Sequence, residues 1–544
     1  MLLAGCGGGG KKTVGNIKIN TDKFPIVDEE ATLKVWLPMN HNHSAAGITS
    51  IEDTVSAKAI EQLTNVKVEW ECASNTDSST LFNLMIASTD LPDIIMYNVD
   101  TPEKYKTSGA IIPINQYIDD YAPNFKKVME EVENYKSDVA DENGDIWGMY
   151  SYYPDPNMTG MWTFPLIRQD WLDKLDLEVP TNQDEWYKVL KAFKENDMNG
   201  NGDPNDEIPM TMRSLWQIRY LGLWPNRVSD EFIIGQDGKV TYGFIEPGYK
   251  QGVEFMRKLY SEELIDVEFL VQDLKQMERK ILTSTAGAAI GGSYNYINEF
   301  SKQLRDENPD YNMVIAGMLE SNLGDGKKYS FDGEVNRVFS NFAFFVTSAC
   351  QTPELAVRWC DSFFSEEGGR AGMFGIEGET YDIVDGRPIF REELMKDETT
   401  GVTNNLYRAR YTFGGDGVYG YSFPMRADKP ECVDGIWYPR DITLVFGGDE
   451  IFNMTNAARM EVDISGKLPG SPSLRLTSDE TEEISEITTD VKKYADEITA
   501  QAITGAISMD EFDNAVEKVK DMKISRAIEI YQKAYDELIK KRGK

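Results

Sequence analysis

Hydrophobic and polar positions alternate over the first hundred residues in a pattern that predicts strands separated by helices. The segments ATLKVWLPMN (31–40), VKVEWEC (66–72) and LPDIIMYN (91–98) have the apolar spacing of buried strands. Between them, the region around Ile60 and the segment STLFNLMIASTD (79–90) carry apolar residues at helical spacing. Strands that alternate with helices form an open and mostly parallel sheet, so this order predicts an α/β fold.

The carboxyl ends of these strands are the expected ligand-binding edge. In open α/β sheets, ligands bind just beyond the carboxyl ends of the parallel strands. The rule selects the segments that follow the first and third predicted strands, 39–43 and 97–100. Polar and aromatic side chains in these segments are candidate ligand contacts: Asn40, His41, Tyr97, Asn98 and Asp100.

The α/β pattern continues through the middle of the chain and becomes purely helical at the end. The aromatic-rich segment 141–154 is predicted to form a hairpin and a crossover, and a further series of strands and helices runs over 208–296. After about residue 480, Ile and Val recur at helical spacing, and Ser508 with Glu511 predicts a capping box. The sequence therefore predicts two α/β lobes and a helical C-terminal tail.

The length of the chain supports this division into several cores. At 544 residues, the chain exceeds the size at which a single hydrophobic core is usual. The predicted division is 1–30 for a flexible N-terminal tether, 31–155 with 338–395 for the first lobe, 156–337 with 396–478 for the second lobe, and 479–544 for a helical tail that packs on the lobes.

The composition argues against several classes of function. With 91 acidic and 56 basic residues, the net charge is −35, and such a surface repels phosphate backbones, so nucleic acid is not an expected partner. The sequence has no run of about eighteen apolar residues that could span a membrane. The two histidines, His41 and His43, do not lie near a nucleophile motif, which argues against Ser-His-Asp and Cys-His enzymes.

The cysteines beyond the N-terminus do not form a metal-binding or redox motif. Cys72, Cys350, Cys360 and Cys432 have no CxxC spacing, so zinc ribbons and thiol redox centres are not expected. Cys350 and Cys360 could pair if the fold brings them together, but the default expectation is that they are free buried thiols.

The N-terminal motif LAGC (3–6) places small residues directly before a cysteine, as at the end of a secretory signal. It resembles the bacterial lipobox, where the signal is cleaved and the cysteine is acylated. Five residues precede Cys6, so we expect the remainder of a signal upstream of this start. Gly7 to Gly10 predict a flexible tether. The resemblance implies an exported protein that is attached to the outer face of the bacterial cytoplasmic membrane through a lipid on Cys6 alone.

Alternating oxygen donors in DMNGNGDPNDE (197–207) predict a metal site. Gly202 is sixth from Asp197, where a calcium loop makes its sharp turn. The twelfth position, where an EF-hand has a bidentate Glu, is Ile208, and Glu207 comes one position early. We expect a structural calcium ion, with a solvated acidic turn as the alternative. The predicted ligands are Asp197, Asn199, Asn201, Asp203, Asp206 and Glu207.

Three longer segments resemble one protein family. The stretch 167–210, the motif GIEGETY (375–381) and the tail around 498–522 are similar to the large extracellular solute-binding proteins of carbohydrate ABC transporters, in the lipoprotein branch of family 1 that includes alginate-oligosaccharide-binding proteins. The resemblance implies a periplasmic-binding-protein-like (type II) fold, in which two lobes joined by a hinge close on an oligosaccharide and deliver it to a membrane permease. It also implies calcium in a loop like 197–207, and we expect a monomer.

Aromatic side chains at strand ends and crossings are the expected sugar contacts. A sugar ring has an apolar C–H face and a rim of hydroxyl groups, so a binding protein needs flat aromatic rings as well as polar side chains. Trp171, Trp186 and Trp359 share helical faces with apolar residues and are instead expected in the core. Beside the five candidates at the strand ends, the predicted contacts are Tyr152, Tyr153, Trp216, Trp224, Tyr294, Trp437 and Tyr438.

The expected function is that of a substrate-binding lipoprotein of an ABC importer, which captures an oligosaccharide in the cleft between the lobes and is not an enzyme. A carbohydrate-sensing or adhesion receptor could use the same cleft. A surface glycoside hydrolase is a third alternative, but it needs two carboxylates that face each other at a defined distance, and the pattern shows no hydrolase architecture.

Overall fold

Two hydrophobic cores organise the chain. The computed structural model describes residues 11–543 except for short gaps and for longer ones at 153–162, 218–230, 330–338, 395–409 and most of 414–473. Within the described residues, one large cluster of buried apolar side chains draws on 19–150 and 343–413, and the other on 164–329 and 484–530. These clusters define lobe 1 and lobe 2. The chain passes from lobe 1 to lobe 2, returns to lobe 1, and ends in lobe 2.

The first pass of the chain forms most of lobe 1. Its strands are β1 (Lys11–Val14), β2 (Ile17–Asn20), β3 (Ala31–Pro38), β4 (Val66–Ala73), β5 (Ile94–Asn98) and β6 (Met149–Tyr152). Its helices are α1 (Val55–Thr64), α2 (Ser78–Ser88), α3 (Pro102–Thr107), α4 (Asn115–Tyr121), α5 (Pro123–Glu131) and α6 (Tyr135–Val139).

The next segment forms the α/β part of lobe 2. Its strands are β7 (Thr163–Arg168), β8 (Ile208–Thr211), β9 (Phe232–Ile234), β10 (Val240–Tyr242), β11 (Ala286–Gly292), β12 (Met313–Ile315) and β13 (Lys328–Tyr329). Its helices are α7 (Gln169–Lys174), α8 (Gln183–Lys194), α9 (Pro247–Ser261), α10 (Leu274–Leu282) and α11 (Phe300–Arg305).

The remainder of the chain completes both lobes. The strands are β14 (Phe339–Val346), β15 (Tyr381–Val384), β16 (Arg387–Phe390), β17 (Cys432–Val433), β18 (Ile436–Trp437) and β19 (Val462–Asp463). The helices are α12 (Pro353–Ser362), α13 (Glu366–Phe374), α14 (Ser478–Thr504), α15 (Met509–Val519) and α16 (Ser525–Lys541).

The sheet of lobe 1 combines parallel and antiparallel strands in the order β4-β3-β5-β14-β6. β3 is parallel to β4 and to β5, as the sequence predicts. β14 lies between β5 and β6 and is antiparallel to both. β3, β4, β5 and β6 therefore run in the same direction, so the expectation of a mostly parallel sheet is confirmed for this lobe, with β14 as the exception. The reason is that β14 returns from lobe 2 and so enters the sheet from the edge at which β5 ends.

The sheet of lobe 2 has the order β12-β7-β11-β8. β8 is parallel to β11, whereas β7 is antiparallel to both β11 and β12. Trp171 and Trp186 are buried in this lobe and Trp359 in lobe 1, so all three are core residues as predicted. Together the two sheets and their helices confirm the two-lobe α/β fold.

The cysteines that the structure describes with their side chains are unpaired. Cys350 and Cys360 are both buried free thiols, which confirms the default expectation for this pair. Burial raises the pKa of the Cys350 thiol to about 12, so it stays protonated at neutral pH. A buried, protonated thiol behaves as a small apolar side chain.

The segment predicted to be a tether is partly built into lobe 1. Ile19, Ile26 and Val27 have no solvent exposure and belong to the lobe 1 core. The Asn20 carbonyl accepts a hydrogen bond from Arg358 Nε at 3.0 Å. The prediction that the flexible tether extends to residue 30 is therefore wrong for residues 19–27. The sequence does not indicate their burial, because the apolar residues here are isolated among polar ones and show no helical or strand periodicity. Cys6 and the glycine run lie outside the described residues.

The helical tail is an integral part of lobe 2. Ile484, Val491, Phe512 and Ile530 are buried in the same core as the lobe 2 sheet. The predicted capping box is confirmed at the start of α15, where the side chains of Ser508 and Glu511 bond reciprocally to each other's backbone amides. None of the helices in the described part of the chain has the length and apolar character of a membrane span.

We expect that Ser508→Ala lowers the free energy of unfolding by about 1 kcal/mol, because it removes the acceptor for the Glu511 amide. Ser525→Ala is the matched control, since Ser525 is exposed at the start of α16. Chemical denaturation of both variants measures the difference. Equal stability of the two variants would contradict the capping role.

Candidate functional site

The carboxyl ends of the central strands in lobe 1 lie at one edge of the sheet. β3, β4 and β5 are parallel, so all three end there. Asn98 at the end of β5 pairs with Phe342 of β14, and Tyr152 at the end of β6 pairs with Phe339. This edge therefore carries Tyr97, Asn98 and Tyr152. Tyr97 and Asn98 are expected there, since ligands of open α/β sheets bind beyond the carboxyl ends of the parallel strands.

The corresponding edge of lobe 2 is joined to it by the chain itself. β8 and β11 are parallel, so Thr211 and Gly292 end at one edge, and Gly292 pairs with Thr163 at the start of β7. The chain leaves lobe 1 after Tyr152 and enters lobe 2 at Thr163. The strand-end edges of the two sheets are therefore connected in sequence by the segment between Tyr152 and Thr163.

Tyr97 is held in an aromatic cluster at the lobe 1 edge. Its half-buried ring packs edge-on against Trp36, with 5.3 Å between the ring centroids. The Phe82 ring lies 4.6 Å away on α2, and Tyr105 contacts Phe82 in turn. These contacts fix the orientation of the Tyr97 ring, so it is a rigid part of the edge.

The structure describes some of the predicted ligand contacts. Tyr97, Asn98 and Tyr152 are at the lobe 1 edge, and Trp437 lies in β18, where it pairs with Cys432 of β17. The remaining predicted contacts lie outside the described residues: Asn40, His41, Asp100, Tyr153, Trp216, Trp224, Tyr294 and Tyr438.

Gln217 is a residue at the lobe 2 edge that sequence reasoning missed. It is buried, and its side-chain oxygen accepts a hydrogen bond from the Arg213 amide at 2.6 Å. Its side-chain nitrogen donates to the Ile290 carbonyl at 3.1 Å. Gln217 thus fastens the loop after β8 to the end of β11. A lone Gln in a loop has no sequence signal that could reveal this role.

Tyr296 is the second missed residue at this edge. Its buried ring lies over the end of β11, where a Cβ added at Gly291 would be 2.2 Å from the ring. The position therefore requires glycine, and the Gly291-Gly292 pair is the one sequence feature that could have indicated the close approach. Burial raises the pKa of the Tyr296 phenol, so the hydroxyl stays protonated.

The loop that follows β3 is anchored by His43. The imidazole is buried, and its Nε2 lies 3.2 Å from the Thr412 carbonyl oxygen, to which an N–H donates. Burial lowers the pKa of His43 to about 4, and the bond to Thr412 opposes this effect only in part. His43 is therefore a neutral anchor that connects the lobe 1 edge to the segment around residue 412.

The predicted metal loop connects α8 to the start of β8 and is folded on its own side chains. Asp197 accepts hydrogen bonds from the amides of Gly200 at 2.7 Å and Gly202 at 2.9 Å. The Asp206 carboxylate accepts bonds from the side-chain amides of Asn199 at 3.2 Å and Asn201 at 2.6 Å. These hydrogen bonds make the loop a compact turn, in which Asp206 contacts both Asn199 and Asn201.

Glu207 is the buried end of this loop. One carboxylate oxygen, Oε1, accepts a bond from the Met198 amide at 2.8 Å, while Oε2 is buried without a hydrogen-bond partner. A buried carboxylate oxygen without a partner is costly unless a cation or a donor supplies the contact. The described residues nevertheless contain no ready-made group of three His, Cys, Asp or Glu side chains around a metal position.

Comparison with known proteins gives consistent matches over most of the chain. The model of the bacterial extracellular solute-binding protein family matches residues 48–368. The chain is 25% identical to the fructooligosaccharide ABC transporter substrate-binding protein FusA of Streptococcus pneumoniae serotype 4, over 98% of this chain and 96% of FusA. It is 26% identical to lipoprotein LipO of Bacillus subtilis, over 65% of this chain and 68% of LipO.

A solved structure shares the fold over nearly the whole length. The crystal structure of the alginate-binding protein AlgQ2 without calcium ion superimposes with a TM-score of 0.68 at 24% identity, over 94% of this chain and 98% of AlgQ2. This likeness shows that the two-lobe arrangement with its C-terminal helices is a known architecture.

We expect the buried His43 to make the protein less stable in mild acid. Unfolded histidine takes up a proton below about pH 6.5, whereas folded His43 does so only near its pKa of about 4. The unfolded state therefore binds more protons in this window, and stability falls as the pH falls. Between pH 7 and pH 5 the loss is about 2 kcal/mol from this group.

Chemical denaturation at the two pH values measures this loss, and His43→Gln is the control because it cannot titrate. The drop in unfolding free energy should be larger in the wild type than in H43Q by about that amount. Equal drops in the two proteins would contradict a neutral buried His43.

Proposed function

The chain belongs to the bacterial extracellular solute-binding protein family, and from that premise we propose that it captures an oligosaccharide between its lobes and delivers it to the permease of an ABC importer. The observation that carries the proposal is that the chain leaves lobe 1 at the strand-end edge of one sheet, after Tyr152, and enters lobe 2 at the strand-end edge of the other, at Thr163. A solute held there touches both lobes, so its binding energy can favour the closed arrangement.

Carbohydrate is the proposed class of solute. FusA is named for fructooligosaccharides and AlgQ2 for alginate. Rigid Tyr97 at the lobe 1 edge supports this choice, because sugar rings pack their C–H faces on fixed aromatic rings. The proposed contacts are Tyr97, Asn98, Tyr152 and Trp437, together with the predicted residues outside the described part of the chain.

Export and lipid attachment are further parts of the proposal. Family membership supports an extracytoplasmic location, and the name of LipO supports a lipoprotein. Cys6 in the LAGC motif is the proposed acylated residue, with the glycines after it as the tether. A lipid at the N-terminus would keep a monomeric binding protein beside the permease.

The protein is proposed to return its cargo chemically unchanged. The family and the relatives are substrate-binding proteins. In a binder, selectivity comes from pairing the sugar hydroxyls with polar groups at the edges, since a desolvated hydroxyl without a partner costs about 1–3 kcal/mol. No step of the proposed function requires a nucleophile or an acid–base pair.

Calcium is the proposed occupant of the loop 197–207. All predicted ligands offer oxygen donors, which calcium prefers, and Glu207 Oε2 is a buried oxygen that still lacks a partner. The ion would neutralise the carboxylates of this loop and brace the start of β8. We assign it a structural role, because the loop precedes β8 while the ligand-facing edge follows the other end of this strand.

We expect the wild type to be stabilised by its oligosaccharide. At a hundred times the dissociation constant, a ligand adds about 2.7 kcal/mol to the free energy of unfolding. A thermal-shift screen with fructooligosaccharides, alginate oligosaccharides and other glycans measures this gain, and chromatography of the recovered glycan shows whether it is intact. If only solutes other than glycans shift the melting temperature, the carbohydrate assignment is wrong.

Asn98→Ala should weaken binding of the active glycan at least about tenfold, which corresponds to about 1.4 kcal/mol. Asn83→Ala on the exposed face of α2 is the control and should bind as the wild type does. Isothermal titration of both variants measures the affinities. If N98A binds the glycan as tightly as the wild type does, Asn98 is not part of the binding site.

We expect a chelator to lower the melting temperature of the wild type and added calcium to restore it. Glu207→Gln should abolish this response, because it removes the charge of the buried carboxylate. Asp184→Asn, at an exposed position on α8, should leave the response intact. Differential scanning calorimetry with and without 1 mM calcium measures the effect. Indifference of the wild type to both treatments would leave the solvated acidic turn as the correct interpretation.

A further inference from the structure

The last turn of α16 contacts lobe 1, although the rest of this helix belongs to lobe 2. Ala527 and Ile530 are buried in the lobe 2 core. The Tyr531 ring lies 4.6 Å from Phe232 of β9, and Gln532 Oε1 accepts a hydrogen bond from the amide of Val240 at 2.6 Å. The helix is therefore firmly fixed to lobe 2 along its first half.

The C-terminal end of α16 makes an ion pair with α6 of lobe 1. The Arg542 guanidinium bonds to the Asp138 carboxylate through Nη2 and also through Nε, which lies 3.3 Å from Oδ1. The Asp138 side chain is 0% exposed and that of Arg542 is 12% exposed. This ion pair is therefore largely buried, unlike the surface pairs of the α14–α16 tail.

Two further basic residues bond to the backbone of the same segment. Lys541 Nζ donates to the Ala140 carbonyl at 3.2 Å and also to the Ser137 carbonyl. Arg475 Nη2 donates to the Ser137 carbonyl at 3.2 Å. We refer to the bonds of Arg475, Lys541 and Arg542 with residues 137–140 as the C-terminal contact.

The lobe 1 side of this contact is rigid. Tyr135 and Val139 of α6 are buried in the lobe 1 core, and the Tyr135 hydroxyl donates to the Tyr150 carbonyl on β6. The C-terminal contact thus joins a fixed part of lobe 1 to a fixed part of lobe 2. It is a non-covalent connection in addition to the covalent crossings of the chain.

Separation of the lobes at this point is energetically unfavourable. Because Asp138 has no exposed side-chain surface, removal of Arg542 would leave its carboxylate buried without the guanidinium. A buried charge that loses its partner is strongly destabilising. Motions that keep the ion pair intact are favoured over motions that break it.

We propose that the C-terminal contact is a pivot, which stays formed while the lobes open and close and which confines their relative motion to rotation about an axis that passes close to Asp138. The pivot deepens the proposed function, because it rests on two lobes that close on a ligand. By excluding other relative motions, it reduces the number of arrangements that the free protein samples and so reduces the entropy that ligand binding must overcome.

The test measures the distribution of distances between the lobes in the ligand-free, full-length protein. Spin labels on exposed Lys67 of lobe 1 and Glu254 of lobe 2, attached through noncanonical amino acids, report this distribution by double electron–electron resonance. Arg542→Ala should broaden it at least about twofold, and Arg542→Lys should give an intermediate width. Lys540→Ala, an exposed basic residue two positions away, should match the wild type.

The double variant Asp138→Ala/Arg542→Ala controls for a folding defect in R542A. It removes the Asp138 carboxylate as well, so no buried carboxylate is left without its guanidinium partner. It should broaden the distribution as R542A does. Wild-type widths in both variants would overturn the pivot. A transfer of population between two narrow distances, without broadening, would also overturn it, since the contact would then be a latch that belongs to one state. Neither result depends on which solute binds, so failure of the glycan screen leaves this test intact.

Discussion

The pairing of β14 between β5 and β6 is the constraint on which the architecture depends. Phe344 of β14 pairs with Met96 on one side and with Met149 on the other, and all three are buried. Lobe 1 cannot complete its sheet until the chain has travelled through lobe 2 and come back. The chain must therefore cross between the lobes more than once at the edge where β5 and β6 end. The same pairing thus brings the start of β14 to the edge at which β5 and β6 end.

Each lobe also carries a buried arginine–aspartate pair whose two members are close in sequence and which also bonds to a segment distant in sequence. In lobe 1, Asp361 accepts bonds from the Phe125 amide at 2.7 Å and from Arg358 at 3.2 Å. In lobe 2, Arg168 bonds to Asp170 through two nitrogens at 2.7 and 2.6 Å, and its Nη1 donates to Ser284 Oγ at 2.7 Å. Such pairs add little net stability, but a wrongly paired segment would leave a charge buried and unpaired. These two pairs therefore favour the native arrangement of the segments over alternative arrangements.

The sequence predicts local features of this protein well and its long-range pairing poorly. Alternation identifies the first three strands, and the Ser508 capping box is correct to the residue, because both depend on neighbours within a few positions. Periodicity reports which face of a strand is buried but not which strand lies beside it, so the antiparallel entry of β14 is missed. The roles of His43 and Gln217 are missed for a similar reason, since their partners at Thr412 and Ile290 are far away in sequence.

The division of both cores among distant segments has a consequence for biosynthesis. Lobe 1 needs residues 343–413 to close its core, and lobe 2 needs the helices around 484–530. A nascent chain that still lacks these segments has exposed apolar surface and no complete domain. The core of lobe 1 cannot close before residue 413 has emerged, and that of lobe 2 cannot close before about residue 530 has emerged. This delay suits a secretory route, because a translocation channel accepts a polypeptide more readily before it has become compact.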